Sequence, residues 1–182
     1  MPTRDEVIAA TRNWVEKAVI GLNLCPFARS VYVKNQVRFV VSEARHLDAF
    51  LEELDRELDL LAATDPAEID TTLLIHPELL PDFEEFNAFM ELAEQAVIEH
   101  DLEGVIQVAS FHPAFQFADT EPDDIGNYTN RAPYPTIHLI REASIDRAVA
   151  NYPDPDDIYK RNIETLQRLG HAGLKKVLDG EE

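Results

Sequence analysis

Short β-branched runs alternate with amphipathic segments along the first two thirds of the chain, and this order constrains the fold more than any other feature. The runs at 37–41 (VRFVV), 69–75 (IDTTLLI) and 105–111 (VIQVASF) predict three strands. Between the first two, apolar side chains recur at spacings of three and four, as in a helix with one buried face (Leu47, Phe50, Leu51, Leu54, Leu58 and Leu61). A second helix follows an Asp82–Glu85 capping box. Because helical crossovers return the chain in the same direction, we expect these three strands to run parallel.

The remaining segments add helices at both ends of the chain and a fourth strand. A Thr3–Glu6 capping box begins the first helix. A fourth strand is predicted at 136–140, and the last helix is expected to end at Gly170. We therefore expect a single α/β domain over residues 1–182, with a mixed, mostly parallel sheet of about four strands flanked by helices. The stretch at about 171–182 is expected to be a weakly ordered tail.

The net charge of −19 limits the partners that this chain can have. Such an acidic surface repels phosphate backbones and anionic lipid, so we expect neither nucleic acid nor a membrane surface as a partner. No apolar run approaches the roughly 18 residues of a membrane span, and the N-terminus lacks the apolar core of a signal peptide. The single Cys25 excludes an internal disulfide and suits a reducing compartment. These features together predict a cytoplasmic protein.

Two histidines follow predicted strands, and each is itself followed by proline. His76–Pro77 ends the second strand and His112–Pro113 ends the third. If the strands are parallel, both histidines lie at the carboxyl edge of the sheet, where open α/β sheets bind ligands. There they could transfer protons near neutral pH or bind a metal. The alternative is that each imidazole bonds a neighbouring loop and only terminates its strand.

The loop over 113–135 is too long and too aromatic to be an ordinary linker. It carries Asn127, Asn130 and Arg131, whose amide and guanidinium groups suit recognition of a carboxylate or phosphate. The alternative for Arg131 is an ion pair with one of the many acidic residues of the loop. We predict these three residues as ligand-binding.

His138 and Cys25 are further candidates for the same site. His138 alternates with apolar neighbours in the fourth strand, so it either joins the histidine cluster or is a hydrogen-bonded histidine of the sheet. Cys25 is either a nucleophile with a nearby histidine as base or an inert, buried thiol. No close H-x-x-x-H or C-x-x-C spacing occurs, so we predict no metal site, and the sequence identifies no cofactor.

Five separated motifs together resemble a known family. They are GLNLCPFA (21–28), TTLLIHP (71–77), DFEEFN (82–87), QVASFHPAFQFA (107–118) and NYTNRAPYPTIHLIREAS (127–144). They are similar to a bacterial and plant family known as the domain of unknown function DUF1415. The resemblance implies no activity. It does imply that the candidate residues belong to the family's characteristic segments (Cys25, His76, His112, Asn127, Asn130, Arg131 and His138).

The sequence favours an enzyme acting on a small anionic metabolite at the carboxyl edge of the sheet. In this interpretation His76, His112 and Cys25 are catalytic, while the loop and His138 hold the anion. The alternative is a non-catalytic module that binds a metabolite or a protein through the 113–135 loop. That loop could also be the contact of a homodimer, since it is rich in aromatic residues.

Overall fold

The computed structural model describes residues 1–152 and 154–180. Within them, four strands form one sheet in the order β1-β2-β4-β3. The strands are β1 (Val37–Val41), β2 (Thr71–Ile75), β3 (Ile106–Phe111) and β4 (Thr136–Arg141). The helices are α1 (Arg4–Trp14), α2 (Ala28–Val33), α3 (Leu47–Ala63), α4 (Phe83–Glu99), α5 (Glu142–Ala150) and α6 (Asp156–Asp179). A π-helical segment, Val15–Ile20, continues α1, and a 3-10 helix, Ile125–Asn130, lies in the long loop. No helix in the described part of the chain combines the length and apolarity needed to cross a membrane.

The sheet is mixed, as predicted, but the prediction that it is mostly parallel was wrong. Only β1 and β2 pair in parallel, while β4 lies between β2 and β3 and pairs antiparallel with both. The three strands predicted to share a direction do so, because β2 and β3 each oppose β4. The prediction was wrong about adjacency. The crossover through α4 does not place β3 next to β2. Instead β4 lies between these two strands and runs antiparallel to both.

Helices cover both faces of the sheet, and the two faces bury different side chains. On one face, α3 and α4 pack against Leu74, Ile137 and Leu139. On the other face, α1, the π-helical segment and α6 pack against Leu73 and Ile75. Successive residues of a strand point to opposite faces, so a strand covered on both sides carries an unbroken apolar run. This explains why β2 is buried along its whole length.

The register aligns the ends of three strands at one edge of the sheet. Thr136, the first residue of β4, pairs with Ile75 at the end of β2 and with Phe111 at the end of β3. His76 and His112 therefore emerge at this carboxyl edge, as predicted. The loop over 112–135 begins and ends there and must lie over it.

The tail expected at about 171–182 does not match the part that the structure describes, because the chain is helical up to Asp179; residues 181–182 lie outside the described residues. Gly170 adopts φ 68° and ψ 177°, which breaks α6 without ending it. Such positive φ values favour glycine, which explains the stop signal in the sequence. The segment beyond the break packs on the first helix: Leu174 is buried in that core, and the Asn13 side chain donates to the Leu178 carbonyl at 2.9 Å.

Two adjacent threonines of β2 give a matched test of how the sheet treats buried hydroxyls. The Thr71 hydroxyl donates to the Leu139 carbonyl and accepts from His138 Nε2, both at 2.7 Å. Thr72 is fully buried, and no described residue bonds its hydroxyl. We expect Thr72→Val to raise the free energy of unfolding by about 1 kcal/mol and Thr71→Val to lower it by about 1–2 kcal/mol, because only the second change breaks hydrogen bonds. Urea unfolding measures both; a Thr72→Val protein less stable than the wild type would contradict this assignment.

Candidate functional site

His76 is buried, and hydrogen bonds engage both nitrogens of its ring. Nε2 donates to the Ala44 carbonyl at 2.7 Å, in the loop that follows β1. Nδ1 accepts from the backbone N–H groups of Glu78 (3.0 Å) and Leu79 (2.7 Å). A carbonyl only accepts and an N–H only donates, so the ring is neutral with its proton on Nε2. His76 therefore joins the turn after β2 to the loop after β1.

His112 repeats this arrangement at the end of β3. Its Nε2 donates to the Leu80 carbonyl at 2.9 Å, and its Nδ1 accepts from the Ala114 N–H at 2.9 Å. Burial lowers the pKa of His112, against the raising effects of its bond to Leu80 and of the nearby Asp82 carboxylate. Leu80 has a φ of 59°, which is uncommon for a large apolar residue. His112 thus holds a strained segment of backbone in place.

The two asparagines predicted to bind a ligand instead bond the loop and the neighbouring strand β3. Asn127 is fully buried; its Oδ1 accepts from the Phe117 N–H (2.9 Å), and its Nδ2 donates to the Glu121 carbonyl (2.9 Å). Asn130 Nδ2 donates to the Ser110 carbonyl at 3.2 Å. These amides replace the backbone pairing that an irregular segment lacks.

Arg131, predicted to bind a ligand, also stabilises the loop, and it does so without the ion pair that was the alternative. Its Nε donates to the Phe115 carbonyl at 3.0 Å and one terminal nitrogen donates to the Pro122 carbonyl at 2.5 Å. The guanidinium carbon lies 4.4 Å from the centre of the Tyr128 ring, a cation–π distance. Within the described residues, no carboxylate lies within salt-bridge distance of this side chain.

His138 lies in the middle of β4, away from the carboxyl edge. It pairs in register with Leu73 and Ala109, and its side chain faces the layer formed by α1 and α6. Because the Thr71 hydroxyl gives its hydrogen to Leu139, His138 Nε2 must be the donor in their 2.7 Å bond. Burial lowers the pKa of His138 to about 4. The structure therefore does not bring His138 together with His76 and His112.

A cavity of about 380 Å³ opens beside the carboxyl edge and contains Cys25 in its wall. It lies between the π-helical segment, the long loop and the first half of α6. Its lining residues are Val19, Leu24, Cys25, Phe111, Phe117, Thr129, Asn130, Pro155, Ile158, Tyr159 and Asn162. A second cavity of about 330 Å³ shares Phe117 and Tyr159 with it and includes Asp124 and Gln167.

Cys25 is half-buried, and its environment suppresses the thiolate. Burial raises the pKa of the Cys25 thiol, and the backbone N–H groups of Phe27 and Ala28 oppose that rise only in part. A protonated thiol is a poor nucleophile near neutral pH. No histidine lines the cavity among the described residues, so none lies there to act as its base.

A π-helical segment forms one wall of the cavity. The chain winds as a π-helix over Val15–Ile20, and the Val19 carbonyl accepts from the Cys25 N–H at 3.3 Å. π-Helical turns often occur at functional sites. This segment positions both Val19 and the Cys25 turn against the end of β3.

Sequence reasoning missed the part of the site that α6 contributes. Asn162 is buried, and it lies four residues from both Ile158 and Leu166, on the side of the helix that faces the protein. A polar residue at an apolar position of an amphipathic helix is the signal that could have identified it. Nothing in the order of elements indicates that α6 packs against the long loop.

The described residues contain no group of three His, Cys, Asp or Glu side chains that could hold a metal ion. The ring nitrogens of His76 and His112 bond backbone atoms instead of converging on a common point.

We expect His112→Ala to lower the free energy of unfolding by about 2–4 kcal/mol, because it leaves the buried Leu80 carbonyl and the Ala114 N–H without partners. Urea unfolding measures the loss. His46→Ala, at an exposed histidine without a side-chain capping bond, is the control and should stay within about 0.5 kcal/mol of the wild type. A His112→Ala protein of unchanged stability would show that the imidazole is not structural.

His138 should make stability depend on pH below neutrality. Its pKa is about 4 in the folded protein, against 6.5 for an unperturbed imidazole, so only the unfolded state takes up the proton between these values. The contribution of His138 to the free energy of unfolding is therefore fully present above about pH 6.5. It falls as the pH drops and levels off near pH 4, a loss of about 3 kcal/mol. His138→Gln should remove this component, as measured by urea unfolding at several pH values. If His138→Gln alters the pH dependence of stability no more than the control His46→Gln does, this assignment is contradicted.

The comparisons with known proteins identify the family and no activity. No curated protein and no solved structure matches the chain. A family model described as a protein of unknown function (DUF1415) matches residues 6–176, a range that includes all five motifs and the site described above. The resemblance predicted from those motifs is confirmed, and the chain belongs to the DUF1415 family.

Proposed function

We propose that this protein binds a small, uncharged molecule in the 380 Å³ cavity beside the carboxyl edge of the sheet. One observation carries the proposal: the chain has a net charge of −19, yet none of the described residues that line this cavity is charged. Aromatic and aliphatic walls with a few fixed amide and hydroxyl groups are typical of sites for small molecules. The volume lies within the range of such sites, which is about 300–1,000 Å³.

The position of the cavity supports the same conclusion. Phe111, the last residue of β3, forms part of its wall, so the cavity opens at the edge where α/β sheets bind ligands. The π-helical segment contributes Val19, and the long loop contributes Phe117, Thr129 and Asn130. A loop held by buried amides and by Arg131 offers a preformed wall, which lowers the entropy cost of binding.

An anionic ligand, which the sequence favoured, has less support. Arg131 bonds two carbonyls and lies against Tyr128, and it does not line the cavity. The acidic surface would also repel an approaching anion. An uncharged ligand meets neither obstacle.

Binding without catalysis is the better supported class of function. The nitrogens of His76 and His112 are engaged with the backbone, so proton transfer through either ring would first require those bonds to break. Cys25 combines a raised pKa with the absence of a histidine among the described lining residues. We therefore assign the candidate residues structural roles and propose a binding module.

The 113–135 loop has little to offer a homodimer. Its aromatic side chains are engaged within the chain: Phe115 is buried and packs edge-on against Phe117, with centroids 4.9 Å apart. Tyr128 packs edge-on against His171 of α6 at 5.3 Å. Phe115 is therefore not available for an intermolecular contact, and Phe117 and Tyr128 already pack against neighbours within the chain.

A fragment experiment with a blocked cavity tests the proposed function. Ligand-observed NMR would compare uncharged, cationic and anionic fragments of similar size against the wild-type protein, Ile158→Trp and Lys160→Trp. Ile158 lines the cavity, whereas Lys160 is an exposed residue of the same helix and serves as the matched control. We expect uncharged fragments to bind the wild type and Lys160→Trp but not Ile158→Trp, because the indole fills the cavity.

Two results would refute the proposal. One is that no uncharged fragment binds, and the other is that Ile158→Trp binds them as well as Lys160→Trp does. Preferential binding of anionic fragments would restore the enzyme hypothesis based on anion recognition.

A further inference from the structure

We propose that Asn162 selects the ligand, by accepting a hydrogen bond from an N–H or O–H group carried on a flat, uncharged ring. This inference rests on the proposed binding function and adds the chemical class of the ligand. The assigned role is that of a specificity-determining residue.

The orientation of the Asn162 amide is fixed by the protein. The side chain is only 8% exposed, and its Nδ2 donates to the Leu24 carbonyl at 2.8 Å. A carbonyl only accepts, and only the NH2 end of an amide donates, so this bond determines which end of the Asn162 amide is the oxygen. Asn162 lines the cavity, and no described residue donates a hydrogen bond to its Oδ1.

Among the described residues, the fully enclosed side-chain atoms without a partner belong to Glu53 and Thr72, so Asn162 Oδ1 keeps access to the cavity that its side chain lines. A ligand bound in the cavity can therefore donate a hydrogen bond to this oxygen. A ligand that covers this oxygen without donating to it displaces water and leaves the acceptor unpaired, which weakens binding. Two neighbouring polar residues, Asn130 and Cys25, are less suited to this role. Asn130 already donates to the Ser110 carbonyl and lies within hydrogen-bond distance of the Thr129 hydroxyl, and a thiol such as that of Cys25 is only a weak donor.

The remaining lining defines the rest of the ligand. Phe111, Phe117 and Tyr159 supply aromatic surface, while Val19 and Ile158 supply aliphatic surface. Aromatic rings bind other rings by stacked or edge-on packing. None of the described residues in the lining is charged, so none of them could pair with an ionised ligand. A neutral aromatic or heteroaromatic ring with one donor satisfies all of these conditions.

Indole and benzofuran form a matched probe pair, because they have nearly the same shape and differ in that only indole has an N–H donor. NMR titration would measure the dissociation constant of each for the wild-type protein, Asn162→Leu and Gln167→Leu. Gln167 lines the adjacent cavity but not this one, so its variant is the control. We expect the wild type and Gln167→Leu to prefer indole by about 10-fold, and Asn162→Leu to bind both probes about equally.

The outcomes separate the two proposals. Binding of both probes with equal affinity by the wild type would overturn the role of Asn162 while leaving the proposed function intact. An indole preference that persists in Asn162→Leu would also overturn that role. Failure of both probes to bind would count against the binding function itself. The wild-type ratio decides the donor requirement even if Asn162→Leu does not fold.

Discussion

Two imidazole rings hold the carboxyl edge of the sheet together, and the rest of that edge depends on them. Each ring accepts from the turn that follows its own strand and donates to a carbonyl of a different loop. His76 thereby fixes Ala44, and His112 fixes the strained residue Leu80. A buried carbonyl without a donor costs about 1–3 kcal/mol, so loss of either ring would weaken the contact between these loops.

The insertion of β4 between β2 and β3 determines what lies over this edge. The long connection leaves at Phe111 and returns at Thr136, two paired residues, so its whole length must be accommodated above one end of the sheet. Helix α6 closes the other side of the loop. The approach is close enough that a Cβ atom on Gly126 would lie 2.7 Å from Ile163 Cδ1. The cavities are the space that this packing leaves between loop and helix.

The distribution of charge separates the surface from the site. The chain is strongly acidic, whereas the cavity that contains Cys25 presents amide, hydroxyl and thiol groups among aromatic walls. Arg131, which follows the lining residue Asn130 in the sequence, donates to the carbonyls of Phe115 and Pro122. His76, His112 and Arg131 thus stabilise the backbone around the site, whereas uncharged groups such as Asn162 line the cavity.

The sequence by itself predicted the four strands, the helices α3 and α4, and the edge of the sheet at which His76 and His112 lie. Periodicity indicated α3 and α4, the Asp82 cap marked the start of α4, and the two His–Pro pairs marked the strand ends that meet at one edge. Only the tertiary structure decided that β4 separates β2 from β3, that the imidazoles bond the backbone, and that Asn162 reaches the cavity. The physical reason is range: periodicity and capping act within a few residues, whereas Asn162 and Leu24, or His76 and Ala44, are joined by packing between distant segments.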